Sequence, residues 1–190
     1  MPEPLLTSPR EIGYTPVAKI LHWFIFAILI GQFAAAWSMP HIGRNTVPET
    51  LINLHFSLGV LVLGLAIVRL AWRWTHPEPK PLDGLPPRKI ISARAVHRAL
   101  YLLLFILPIL GWMNASFRGF TVSFFGLFDL PAVMQKGATG FNWTGDVHAF
   151  LSNYVLLGVV GLHVLVVLHH SLIRKDRLFQ RMLPSMGPPR

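Results

Sequence analysis

The sequence predicts an all-α membrane protein: a four-transmembrane-helix bundle in a single domain over residues 1–190, with both termini cytoplasmic. Three observations carry this reading. Residues 20–43, 50–68, 99–117 and 147–173 contain no Asp, Glu, Lys or Arg, and each stretch is about as long as the roughly 20 residues that cross the hydrocarbon of a bilayer. The chain is 53% apolar and 13% charged, against about a quarter charged in a soluble domain. Its cations are also unevenly placed. With four spans, Arg10, Lys19, Arg69, Arg73, Lys80, Arg88, Lys89, Arg94, Arg98, Arg174, Lys175, Arg177, Arg181 and Arg190 share the side of the termini, and only Arg44, Arg118 and Lys136 lie opposite. Excess Lys and Arg mark the cytoplasmic side. The net charge of +9 is thereby explained by topology and anionic lipid, so it makes no case for nucleic acid.

Helices are expected at about residues 17–37, 50–74, 93–117 and 146–173. The leader, MPEPLLTSPREIGYTP, has no apolar core and no small-residue cleavage site, so it is not expected to be a signal peptide. It ends at Thr15 and Pro16, a helix start. Trp23 and Trp37 lie towards the two ends of helix 1, at aromatic-belt positions. Helix 2 opens at Thr50, a possible N-cap, and closes among Arg69, Trp72, Arg73 and Trp74. Gly59 and Gly64 would permit close approach of a helix or a flat ligand. The five prolines between Thr75 and Ser92 indicate a semi-rigid linker. Helix 3 carries Pro108 in mid-span, where a kink and a freed carbonyl are expected. FTVSFFGLF, from Phe120 to Phe128, is too short to span and reads as an interfacial cap over the outer end. Helix 4 enters from the outer side at His148 and leaves among Arg174, Lys175 and Arg177, and a basic tail follows it.

Histidines are the notable side chains in these spans. An ionisable group inside a membrane is costly and marks function by default. His148 and His163 sit on one helix, about 22 Å apart along its axis and about 60° apart around it. Helices 1 and 4 run in opposite directions, so His22 and His163 fall at one depth near the inner side. His55 and His148 fall together near the outer side. Neutral imidazole is a good iron ligand, and haem is flat and mostly apolar, so two pairs at two depths suit haem held between helices. Iron held by two histidines keeps no open position and moves electrons.

Other readings stand beside this one. A single intramembrane histidine can be a satisfied helix-to-helix hydrogen bond. A zinc or proton transporter would add carboxylates, and none lies in the four charge-free windows. His97, His169 and His170 sit at the inner interface. There they either snorkel to lipid headgroups or contact a haem propionate, a quinone or a proton path. His41 and His76 are loop residues expected to be solvated. Without cysteine, disulfides, thiolate catalysis, c-type haem attachment and cysteine-held iron–sulfur clusters are excluded.

The ordered set of motifs resembles the bacterial cytochrome b561 family. It comprises His22-Trp23, then His55 with Ser57 and Gly59, then His97 to Tyr101 with Leu107-Pro108 and Gly111. Gly161-Leu162-His163, His169-His170, Lys175-Asp176 and Met182-Leu183-Pro184 complete it. The resemblance covers nearly the whole chain. It implies two haem b groups, one on His22 and His163 and the other on His55 and His148. It further implies residence in the bacterial inner membrane and electron exchange with ubiquinone. Small members are similar to a superoxide oxidase, which takes an electron from superoxide at the outer face. The spacing of 15 residues from His148 to His163 is one more than is usual in the wider group. An extra residue turns the helix by about 100°, and a π-bulge in LLGVVG, residues 156–161, is expected to absorb it.

The expected function is therefore a di-haem electron carrier linked to quinone, most specifically a superoxide:ubiquinone oxidoreductase. A cytochrome b subunit serving a separate dehydrogenase or periplasmic redox partner is the first alternative, and a haem-free anchor or transporter is the second. Arg44, Arg118 and Lys136 are balanced by Glu49, Asp129 and Asp146, so attraction of an anion to the outer side would depend on local clustering.

Overall fold

The computed structural model describes residues 13–40, 46–76, 78–79, 81, 86–176 and 178–183. Four helices are long and apolar enough to cross a membrane: α1 (Pro16–Ser38), α2 (Thr50–Thr75), α3 (Pro87–Arg118) and α4 (Thr144–Arg174). Between α3 and α4 lies a two-stranded antiparallel hairpin, β1 (Val122–Phe124) with β2 (Phe128–Leu130). The end shared by the start of α1 and the end of α4 is termed the inner end, and the hairpin lies at the outer end.

Local chemistry explains most boundaries. Thr15 caps α1, its Oγ1 accepting the Ala18 N–H at 3.3 Å, and Pro16 takes the first turn, where its missing N–H is harmless. The cap of α2 is Glu49, without a side-chain hydrogen bond, and Thr50 is already helical, which corrects the expected Thr50 cap. α3 starts at Pro87, six residues before the expected Ala93. The linker prolines end at Pro87, itself a good first residue, and the basic run after it is free to be helical outside the apolar window. α3 ends at Gly119, whose φ of 78° is the left-handed cap glycine adopts readily.

The expected cap over the outer end is a β-hairpin, the one strand-containing element among the described residues. Phe125 and Gly126 both have positive φ, and the Leu127 N–H returns to the Phe124 carbonyl at 2.9 Å. Positive φ is uncommon for a residue as bulky as Phe125. Buried Ser57 of α2 braces it. Its Oγ accepts the Phe125 N–H at 3.0 Å and shares its own proton between the Ser123 and Asn53 carbonyls, each at 2.9 Å.

α4 is not α-helical throughout. It passes through a π-helical turn at Leu151–Leu156 and another at His169–Arg174. The expected π-bulge therefore exists, but it precedes LLGVVG and shares only Leu156 with it. Asn153 in that turn accepts from Trp37 Nε1 at 3.0 Å and donates to the Ala149 carbonyl at 2.9 Å. These bonds tie the widened turn to the outer end of α1.

Backbone packing runs from α1 to α2, from α2 to α3, and from α3 to α4 and to β1. Among the described residues no comparably extended packing joins α4 to α1 or to α2. Buried Leu103, Leu107 and Leu156 form the centre, with Leu29, Phe33 and Val160 against them. Large apolar side chains such as Ile20, Leu165, Leu172 and Ile173 point outward, as lipid-facing residues do.

Candidate functional site

Both depth-matched pairs meet. The ring centres of His22 on α1 and His163 on α4 are 6.2 Å apart at the inner level. Those of His55 on α2 and His148 on α4 are 6.1 Å apart at the outer level. Each pair bridges α4 and a helix whose backbone stands off from it, so each faces a slot and not a packed seam. The π-turn at Leu151–Leu156 lies between the two levels, and such a turn accommodates one residue more than a regular α-helix would in the same stretch.

A test of fit follows from simple geometry. Two imidazoles on opposite sides of one metal, with bonds of about 2 Å and ring centres about 1.1 Å behind the bonding nitrogens, have centres about 6.3 Å apart. Both pairs match this separation. Among the described residues no three or more His, Cys, Asp or Glu converge as an ion site. Iron in a macrocycle needs only two from the protein.

At the outer level, the ring of His148 has a fixed tautomer. Its Nδ1 lies 3.0 Å from the Leu107 carbonyl. A carbonyl only accepts, so Nδ1 carries the proton and Nε2 keeps the lone pair a metal uses. Gly111 makes room for this ring: a Cβ there would stand 3.2 Å from His148 Cε1. Pro108 thus sits between the carbonyl that orients the ring and the glycine that admits it. His55 Nε2 lies 3.3 Å from Nε2 of Gln32 on α1.

At the inner level, His97 joins the pair, its ring centre 5.5 Å from that of His163. Its depth at the interface was expected, its contact with His163 was not, and the separation is shorter than a metal-bridged pair requires. Lys19, one turn before His22, is 6% exposed, and Arg69 donates to the neighbouring Ala18 carbonyl at 2.7 Å. Arg73 lies over the Tyr101 ring and pairs with Glu78 at 2.6 Å. Together these cations make an inner rim suited to carboxylates.

The two terminal histidines part company. His169 is exposed, while His170 is buried and its Nδ1 pairs with Asp176 at 2.5 Å. His76, expected to be solvated, stacks on Trp72 at 3.7 Å between ring centres. His41 lies outside the described residues. Gln32 and Lys19 were missed as site residues. An isolated amide in an apolar helix is the signal that could have found the first, and helical spacing from His22 could have found the second.

Four membrane-length helices, three of which bring two histidine pairs together at two depths, define the class as an integral membrane bundle with paired intramembrane histidines. The family model for prokaryotic cytochrome b561 matches residues 13–185, and the chain belongs to that family. It is accordingly a bacterial membrane electron-transfer protein that binds b-type haem. It is 34% identical to cytochrome b561 homolog 2 of Escherichia coli K12 over 93% of each chain. It is 29% identical to the probable superoxide oxidase CybB of Yersinia pestis, over 87% of this chain and 92% of that one. Cytochrome b561 homolog 1 of Escherichia coli K12 is 23% identical over 86% and 93%.

Proposed function

We propose that the protein carries two haem b groups, an inner one on His22 and His163 and an outer one on His55 and His148. In this reading it passes electrons from superoxide at the outer face to ubiquinone in the membrane. The observation that carries this is the pair of facing imidazoles at each of two depths, 6.2 and 6.1 Å between centres. The 29% identity with a probable superoxide oxidase supports the choice of donor.

Haem held by these histidine pairs would supply one-electron redox chemistry. The chain's residues do the rest. Leu107 and Gly111 hold the His148 ring in one tautomer and one place. Ser57 anchors the hairpin over the outer end of α2. Lys19 and Arg69 supply positive charge for propionates at the inner rim. Overall, two superoxide anions lose one electron each to become dioxygen. One quinone gains two electrons and two protons to become quinol. His97, His169 and His170 are the residues at the inner end able to pass those protons.

Quinone-loaded protein is mixed with a pulse of superoxide while haem absorbance is followed. Reduction faster than spontaneous dismutation allows, with quinol formed, is the expected result. Reduction no faster than that transfers the reading to a cytochrome b subunit serving a separate dehydrogenase or periplasmic partner. Purified protein without a reduced b-type band ends both.

A further inference from the structure

Gln32 is the one amide, hydroxyl or charged side chain on α1 between His22 and Trp37, and it lies about three turns beyond His22. Its Nε2 is 3.3 Å from His55 Nε2, while Gln32 Oε1 and His55 Nδ1 are both buried without hydrogen-bond partners. Gly59, one turn after His55, forms the wall behind the amide: a Cβ there would touch Gln32 Nε2 at 3.6 Å. The two orphaned atoms belong to touching side chains, and unpaired buried polar atoms are rare enough to require a reason.

Rotation about the last torsion of Gln32 exchanges its oxygen and nitrogen. The oxygen can then accept the one N–H of neutral His55, and the other ring nitrogen keeps its lone pair for the gap shared with His148. In that arrangement the histidine N–H satisfies the amide oxygen and the haem iron would take the free ring nitrogen, while the amide NH2 group moves to the position the oxygen now holds. We propose that Gln32 is a positioning residue for His55. Its amide oxygen accepts the N–H of the non-ligating ring nitrogen and so selects which nitrogen faces the outer haem. The inference rests on the di-haem reading. An acceptor on that N–H makes the imidazole a stronger donor, which favours oxidised iron and lowers the potential of the outer haem relative to a ring without the bond.

The test is a redox titration of the purified protein, the outer haem being the one lost in His55→Ala. Gln32→Leu is expected to shift the outer potential in the positive direction and leave the inner one unchanged. Gln32→Glu, measured at alkaline pH, replaces the amide oxygen with a stronger acceptor and is expected to shift the outer potential in the negative direction. The glutamate protein keeps the proposal testable if the leucine protein does not assemble. Equal shifts by Leu and Glu, a shift of the inner haem alone, or no shift from Glu would overturn the assignment. Potentials unchanged in the Gln32 variants of a protein that holds two haems defeat this inference only, whereas wild-type protein lacking haem defeats the function on which it rests.

Discussion

A Cβ at Gly111 would meet His148 Cε1 at 3.2 Å and Nδ1 at 3.4 Å, and this ring is already held by the Leu107 carbonyl. The imidazole must therefore move by a few tenths of an ångström for alanine to fit, and overpacking of this kind costs about 1–3 kcal/mol. Gly111→Ala is expected to weaken retention of the outer haem and spare the inner one, as read from haem content and the reduced spectrum. Gly158 meets nothing within 4 Å, so Gly158→Ala serves as the control that keeps both haems. The ligand pairs make a sharper forecast. His22→Ala and His163→Ala should each remove the same haem and leave the other. His97→Ala should keep two, because His97 lies only 5.5 Å from His163. A His163→Ala protein with two unaltered haem bands would show the pairing to be wrong.

The π-turn at Leu151–Leu156 is the element on which the spacing of His148 and His163 depends. Deleting Ser152, inside the turn, is expected to return that stretch to regular α-helix and preserve the relative facing of the two histidines. Deleting Val159, beyond the turn, should swing His163 by about 100° against its partner. Haem content is the measurement: the first deletion keeps two, the second loses the inner one, and equal behaviour would remove the turn from the account. The four spans were legible because charge-free windows report lipid directly, and the pairs were legible because antiparallel helices convert sequence position into depth. The π-turn was legible as a need, since one residue too many separates the ligands, but not as a place. Its site depends on Asn153 reaching Trp37, a contact 116 residues away in sequence. The hairpin was missed because FTVSFFGLF has the β-rich composition of an interfacial stretch as well, and its turn strains Phe125, which only Ser57 on another element makes tolerable. Gln32 was invisible for a related reason, since a lone amide acquires meaning only from the histidine that α2 places beside it.

At the scale of the whole molecule, the inner end is closed by contacts that join the start of α1, the end of α2 and the segment after α4. Trp23 Nε1 donates to the Met182 carbonyl at 2.8 Å, Trp72 Nε1 donates to Thr15 Oγ1 at 2.9 Å, and Asp176 accepts from His170 and from the Leu178 N–H. Partial burial would raise the Asp176 carboxyl, but the His170 and Leu178 hydrogen bonds and nearby Arg174 outweigh it and hold the group below its ordinary value. The sign follows from linkage: a depressed carboxylate stabilises the folded contact above its unfolded value of about 3.9 and loses that contribution as pH falls through the folded value. Docking of residues 178–183 should thus be insensitive to Asp176 titration at neutral pH and weaken in acid, whereas Asp176→Asn should loosen it at neutral pH. Hydrogen exchange across 178–183 reads both. The basic inner rim is expected to set the orientation of the entire bundle. By the order of the four spans, the sequence assigns fourteen Lys and Arg to the side of both termini and three to the other, and near helix ends such a bias selects the cytoplasmic face. A reporter active only in the cytoplasm, joined after Leu183, is therefore expected to be active. The same reporter inserted at the hairpin turn, between Gly126 and Leu127, should be silent. The opposite pattern would put His55 and His148 at the cytoplasmic face and the cation-rich rim outside, and a donor arriving from the periplasm would then meet His22 and His163 first.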